Sequence, residues 1–316
     1  MNVLAIGAAG FVGLSAISRL YETGHKVRIA DTRDRLLNTL PLIQNYEQVV
    51  LDWPDTQYLN NALEGIDVVL HFAWTTSPAS SMRNIEADAM QNILPSIKLA
   101  EACVEHRVNR LIFMSSGGTV YGNVAEEIID ESHVTSPLCA YGVSKLSVEK
   151  YLYIFSKKHN LDTISLRISN PYGNFQLLGS KVGAIASFLR HTHKGKPINL
   201  FGDGGTVRDY LHIDDVSKAI ALAVEMNTMG AEVFNISSGI GYSLQDTLDI
   251  IKAVSGKEIE INRLEERRFD VRHIVLSSKR FQNTTGWQPQ IELPQGIAMM
   301  WKYLQKTENG QKAKVA

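Results

Sequence analysis

The run Tyr141-Gly142-Val143-Ser144-Lys145 sets a phenol and an ammonium four residues apart. On a helix that spacing places both side chains on one face. A phenol with a pKa near ~10 is a poor base at neutral pH. A cation one turn away favours the phenolate, and such a tyrosine can take the proton of an alcohol. The spacing alone is not selective, because Tyr153 and Lys157 repeat it in the same chain of 11 tyrosines. Position separates the two pairs. Tyr141 opens its helix directly after a loop, near the carboxyl ends of the preceding strands, where open α/β sheets bind ligands. Tyr153 lies about three turns further on, where i, i+4 pairs decorate a solvated helix face.

The elements that would position this pair start at the amino terminus. Val3-Leu4-Ala5-Ile6 reads as a strand buried on both faces. Gly7-Ala8-Ala9-Gly10-Phe11-Val12-Gly13 follows, then an apolar helix to about residue 21, a stop at Gly24, and a strand over 26–30 that closes on Asp31. In such a βαβ unit Gly7 allows the sharp turn, Gly10 lets a pyrophosphate approach the backbone, and Gly13 lets the helix lie close on the strand. The pyrophosphate would sit on the free N–H groups of the helix start. Asp31 falls 18 residues after Gly13, where a carboxylate can accept from both hydroxyls of an adenosine ribose. Its charge repels a 2′-phosphate, which favours NAD over NADP; Arg33 is the residue that could accommodate that phosphate. Asp52, at the end of a short strand over 48–52, either accepts from the adenine amino group or serves a turn.

A chain of 316 residues, 44% hydrophobic and 21% charged, can hold one large α/β domain and a smaller partner. Its net charge of −1 gives no electrostatic case for nucleic acid or an anionic membrane. Cys103 and Cys139 have no metal-site spacing and make no disulfide framework, and no metal is expected. A strand starting at residue 3 leaves no room for a signal peptide, and no apolar run reaches the ~18 residues of a membrane span. A cytoplasmic, soluble protein is the expectation.

Further strands over 68–73, 111–116 and 163–168 alternate with helices over 60–63, 87–104 and 141–158, which predicts a doubly wound parallel sheet. Pro95 should bend or break the second of these helices. The stretch between Asp31 and the 48–52 strand is polar and mixed, and 124–137 is an acidic loop. From about residue 170 the elements shorten. The expected organisation is a dinucleotide-binding Rossmann domain over 1–170, to which 211–237 returns, and a smaller mixed α/β substrate domain over 171–316. Residues 306–316 are polar and should fray.

Taken together, Gly7-x-x-Gly10-x-x-Gly13, Phe113-Met114-Ser115-Ser116, Val120-Tyr121-Gly122 and Tyr141-x-x-x-Lys145 resemble the extended short-chain dehydrogenase/reductases, and within them the UDP-sugar 4-epimerases. The likeness continues through the Arg167–Gly173 run Arg-Ile-Ser-Asn-Pro-Tyr-Gly, then Phe201-Gly202-Asp203-Gly204, Val207-Arg208-Asp209-Tyr210, Arg267-Arg268-Phe269-Asp270-Val271 and Gly286-Trp287-Gln288-Pro289. It covers nearly the whole chain, in order.

The resemblance implies that Tyr141 is the base and that Lys145 holds the nicotinamide ribose and acidifies Tyr141. It implies further cofactor contacts from Phe11, Val12, Trp53, Phe72, Ala73, Trp74, Asn92, Ser115 and Ile168. Asn170, Phe201, Arg208, Tyr210, Arg267 and Asp270 would hold the nucleotide diphosphate, where a guanidinium fork matches phosphate oxygens. One position departs from the family: the Ser or Thr three residues before the Val of Val-Tyr-Gly is Gly117 here, so Thr119, the favoured candidate, Ser116 or a water would supply the hydroxyl. Ile274 would flank the C2 end of the hexose, and a homodimer through the 87–104 and 141–158 helices is implied.

The expected function is NAD-dependent 4-epimerisation of a UDP-hexose through a transient 4-ketosugar. A 4,6-dehydratase would carry Asp-Glu where this chain has Gly118-Thr119. A ketosugar reductase consuming NAD(P)H is a second alternative, towards which only Arg33 leans. Relatives that merely bind dinucleotides have typically lost the Tyr or the Lys, and both are present here.

Overall fold

The computed structural model describes residues 1–55, 58–124, 127–178, 183–266 and 271–308. The first half alternates strand and helix: β1 (Asn2–Ile6), α1 (Phe11–Glu22), β2 (Lys26–Asp31), α2 (Arg33–Ile43), β3 (Glu47–Val50), α3 (Leu59–Leu63) and β4 (Val68–His71). It continues with α4 (Pro78–Ser81), α5 (Ile85–Glu105), β5 (Arg110–Ser116), α6 (Gly117–Val120), α7 (Ala140–His159) and β6 (Asp162–Ile168). Then come β7 (Asn170–Tyr172), α8 (Ala184–Lys194), β8 (Ile198–Phe201), β9 (Val207–His212), α9 (Ile213–Glu225) and β10 (Ala231–Ile236). The chain ends with β11 (Gly241–Ser243), α10 (Leu244–Ser255), β12 (Ile261–Leu264), β13 (His273–Ile274), α11 (Lys279–Thr285) and α12 (Leu293–Glu308).

Seven strands form one parallel sheet in the order β10-β6-β5-β4-β1-β2-β3. Strand order reverses between β1 and β4, the switch point at which such sheets bind ligands beyond the strands' carboxyl ends. The apolar runs read from the sequence follow from burial on both faces: one set of side chains packs under α1 and α9, the other under α5 and α7. β10 is the sheet's far edge, and Phe281 and Trp287 from the carboxyl-terminal part share the core of β1. The other half gathers β7, β9, β11 and β13 into a small mixed sheet and pairs β8 with β12. Its own core includes Tyr172, Phe188, Leu200, Ile251 and Met300.

Two elements differ from the sequence reading. The polar stretch after Asp31 contains the helix α2, which buries only Leu36 and Ile43 and so shows almost no apolar stripe. Pro95 does not break α5, which runs unbroken over 21 residues. One missing N–H is outweighed because the turns on both sides bury Asn92, Ser96, Leu99, Ala100 and Cys103 against the sheet and α7. No described helix is long and apolar enough to cross a membrane.

Candidate active site

A cleft of about 740 Å³ runs from the β1–α1 turn, past the start of α7, to β8 and β9 of the other half. The sequence brings its glycines there for different reasons. Gly7 has φ +81°, and a Cβ on it would lie 2.4 Å from Ala73 N; a Cβ on Gly13 would lie 2.5 Å from Ala8 Cα. Both are required by the protein's own packing. A Cβ on Gly10 would meet only Gly7 O at 3.3 Å and the Arg35 guanidinium at 3.8 Å, and Gly10 lines the cleft. Gly10 also caps α1 without any side-chain hydrogen bond, so the first N–H groups of a 12-residue helix face open space. That bare, positive helix end fits a dinucleotide pyrophosphate. Phe11, Val12 and Gly13 line the cleft beside it.

Asp31 lies beneath this turn. Its Oδ2 accepts from Ala9 N at 2.9 Å and its Oδ1 from Thr32 N at 2.8 Å. Burial raises its carboxyl above the usual value, opposed by the Thr32 N–H, the Arg35 charge and the Ala9 N–H. Arg33 is exposed at the start of α2 and does not line the cleft. The basic residue there is Arg35, whose Nε lies 4.0 Å from Asp31 Oδ1. Sequence reading missed it because the i, i+4 relation to Asp31 has meaning only once 33–43 is known to be helical.

Of the other cofactor residues named above, Phe72, Trp74, Ser115 and Ile168 line the cleft. Asp52, Trp53, Ala73 and Asn92 do not. Asp52 is exposed, Trp53 packs on the His71 ring at 4.9 Å, and Ala73 closes against Gly7. Asn92 is buried and holds the following loop by accepting from Thr75 N at 2.9 Å. The Ser115 hydroxyl faces away from the cleft toward Glu149, whose carboxylate grips Arg167 through Nε at 3.0 Å and Nη2 at 2.7 Å. Arg167 Nη1 donates to the Tyr121 hydroxyl at 2.9 Å, which donates in turn to Asn235 at 2.7 Å. This chain of buried polar groups ties β5, α7, β6 and β10 together directly behind the cleft.

Tyr141 and Lys145 both line the cleft, one turn apart on α7. Loop and helix start are pinned by Tyr141 N donating to Ser81 Oγ at 3.0 Å, and Ser144 Oγ donating to the buried Asp88 at 2.6 Å. Burial raises the Tyr141 phenol, with further upward pushes from Cys139 and Asp88, while the Ser116 hydroxyl bonds to it and pulls it down. Burial lowers the Lys145 ammonium well below its ordinary value, although Glu149 and Asp88 favour its charge. Its Nζ donates to Met114 O at 2.7 Å. By contrast, Tyr153 is half exposed, with the Lys157 ammonium over its ring at 5.5 Å, on the outer surface.

Of the two hydroxyls considered for the Gly117 departure, Ser116 bonds to the phenol. Thr119 lines the cleft with its buried Oγ1 unpartnered among the described residues. Gly117 itself has no room for a side chain: a Cβ there would lie 2.2 Å from Leu276 Cδ1 and 2.9 Å from Arg167 O.

At the far end, Asn170, Phe201, Arg208 and Tyr210 line the cleft. Asn170 Nδ2 donates to Asp209 O at 3.1 Å, and Asp209 is wholly buried, receiving the N–H groups of Ser238, Gly239 and Leu276. The residue between Arg208 and Tyr210 thereby fixes both on β9. Arg267 and Asp270 lie outside the described residues. Ile274 pairs with Arg208 in the sheet and is buried among Val120, Tyr121 and Leu276; the nearby residue on the cleft wall is Val271. No group of three or more potential metal-ligating side chains occurs among the described residues, and both cysteines are buried and outside any disulfide.

A family model described as the NAD-dependent epimerase/dehydratase family matches residues 3–237. The dTDP-4-dehydro-6-deoxyglucose reductase of Escherichia coli is 31% identical over 312 residues, covering 95% of this chain and 96% of that one. Among solved structures, the UDP-glucose 4-epimerase of Thermotoga maritima with UDP-glucose superposes with a TM-score of 0.90 at 32% identity, covering 98% of this chain and 100% of that one. The UDP-glucose 4-epimerase of Thermus thermophilus in complex with NAD gives 0.88 at 29% identity, covering 96% and 99%. With a Rossmann sheet, a bare glycine-rich helix start and a buried Tyr–Lys pair on one cleft, this chain belongs to the NAD-dependent epimerase/dehydratase family.

Proposed function

We propose that the protein is an NAD-dependent 4-epimerase of a UDP-hexose. The observation that carries this reading is the placement of Tyr141, with Ser116 against its phenol, midway along a cleft that has the bare helix end of α1 at one side and Arg208 at the other. Such a cleft can hold a dinucleotide and a sugar nucleotide with their reacting ends meeting at Tyr141. Gly7, Gly10 and Gly13 with Asp31 would hold the NAD pyrophosphate and adenosine ribose. Asn170, Phe201, Arg208 and Tyr210, together with Arg267 and Asp270, would hold the UDP group.

The Tyr141 Oη takes the proton of the sugar C4 hydroxyl. Lys145 supplies the positive charge that makes the phenolate accessible in a desolvated site, and Ser116 donates to the same oxygen or to the sugar hydroxyl. NAD, when bound, would supply the acceptor and donor for the C4 hydride. The Tyr141 Oη then gives its proton back to the C4 oxygen. The buried wall around Tyr141 keeps water from the ketosugar while it turns over.

Proton NMR of UDP-glucose, UDP-N-acetylglucosamine and UDP-glucuronate with the purified protein and no added cofactor tests this reading. Growth of a galacto-configured anomeric signal is the expected result for at least one of them. The similarity to a ketosugar-nucleotide reductase supports the alternative reading. If all three spectra stay unchanged and NADH is consumed with a 4-keto-6-deoxyhexose nucleotide, the reductase replaces the epimerase.

A homodimer is part of the proposal. Ile85, Met90 and Leu94 of α5 and Val143, Tyr151 and Ile154 of α7 are large apolar side chains left exposed on two helices packed side by side. Sedimentation equilibrium should give about twice the 35.1 kDa chain mass, and Leu94→Glu with Ile154→Glu should give the monomer.

A further inference from the structure

Lys145 is 3% exposed, and among the described residues its ammonium donates to Met114 O. Two carboxylates lie near it, and both are committed elsewhere. Glu149, on the next turn of α7, is held by Arg167 and Ser115. Asp88, from α5, accepts from Ser144, Thr76 and Asn92. No ion pair to Lys145 occurs among the described residues. The other faces of the ammonium are aromatic: Nζ stands 3.7 Å from the centroid of the Trp74 ring and 4.7 Å from that of Phe113. Trp74 also stands edge-on to Tyr141, with ring centroids 5.9 Å apart. Its buried indole N–H has no partner among the described residues, so ring contacts with Lys145, Tyr141 and Phe113 set its orientation.

We propose that Trp74 is the positioning residue for the catalytic pair: its ring face holds the Lys145 ammonium in place and in its charged form, and its edge fixes the Tyr141 ring. The ring quadrupole attracts a cation within about 6 Å, and does so most strongly where water is excluded. A charge that burial would otherwise expel is thereby retained beside the phenol that needs it. The other titratable or charged groups facing Lys145 are Tyr141 and Glu149 on α7, Asp88 on α5 and His71 on β4. Burial and the Lys145 charge depress the His71 imidazole to about 3, so His71 stays neutral and adds no competing charge at working pH. This inference rests on the role given to Lys145 in the proposed function.

The first test needs no substrate. The emission of Trp74, taken as the difference between the wild type and Trp74→Phe, should show a step as pH rises and the ammonium against the indole loses its charge. Lys145→Met should abolish that step. A Trp74 signal that is flat with pH, or that keeps its step in Lys145→Met, overturns the proposal whatever the reaction catalysed. The second test reads turnover. Without the ring face the charged form of Lys145 is less stable, so the alkaline limb of kcat moves to lower pH. Trp74→Leu should move it by about one pH unit, a tenfold change in the acid constant. Trp74→Phe, which keeps a weaker ring face, should move it less, and KM should stay within about twofold of wild type in both. An unmoved limb, or a loss confined to KM, assigns Trp74 to packing alone. Should Trp74→Leu fail to fold, Trp74→Phe and the emission titration decide.

Discussion

Tyr141→Phe lowers turnover by about 10²- to 10⁴-fold, the contribution of a positioned general base. It leaves the affinity for the nucleotide sugar within a few-fold of wild type. On the cleft wall the phenol has the Ser116 hydroxyl bonded to it and Lys145 one turn away, the arrangement that the proposed proton transfer needs. Burial raises the phenol, so its phenolate depends on the charge of Lys145, and activity should fall as pH drops and the phenolate is lost. Removing only the hydroxyl retains the ring that packs against Trp74. Single-turnover measurement of ketosugar formation, alongside calorimetric binding of UDP, separates the two effects. Equal losses in binding and turnover would show that Tyr141 serves the cleft's shape and not proton transfer.

Arg167→Met is expected to have the largest effect on stability, about 3–5 kcal/mol, because it strands a buried carboxylate. Glu149 and Arg167 are each about 95% buried, and the pair is bidentate. Burial works against the Arg167 charge, but the hydrogen bonds and charge of Glu149 overcome it and raise the guanidinium above its ordinary value. Without the guanidinium, the hydrogen bond left to Glu149 among the described residues is that from the Ser115 hydroxyl, and the Tyr121 hydroxyl loses a donor. Urea unfolding of the variant should show the loss, and Arg167→Met combined with Glu149→Leu should recover part of it, since the stranded charge is then gone. A double variant no better than the single one would mean that the four strands and helices joined here depend on the polar network itself.

The sequence reached far where its signals are local. Two-sided burial of a parallel strand favours an unbroken apolar run, so β1, β4 and β5 were legible as such runs. Gly7 and Gly13 were legible because a backbone at φ +81° or against Ala8 tolerates no side chain. Helix α2 was not, because a helix that buries two residues has no stripe to read.

What the chain determined by itself is therefore the βαβ frame, the glycine-rich turn closing on Asp31, and the pairing of Tyr141 with Lys145, each fixed by spacing within one or two elements. The tertiary structure decided the rest. It placed the Ser116 hydroxyl against the phenol, left Thr119 Oγ1 unpartnered among the described residues, and filled the space beside Gly117 with Leu276 and the Arg167 carbonyl. It brought Arg35 to the cleft in place of Arg33, and it buried Ile274 behind a wall formed by Val271. It also set Trp74 over Lys145. All four depend on contacts between segments far apart in sequence or on which way a helix turns its face. Side-chain volume and direction in a close-packed interior decide such contacts, and residue spacing does not encode them.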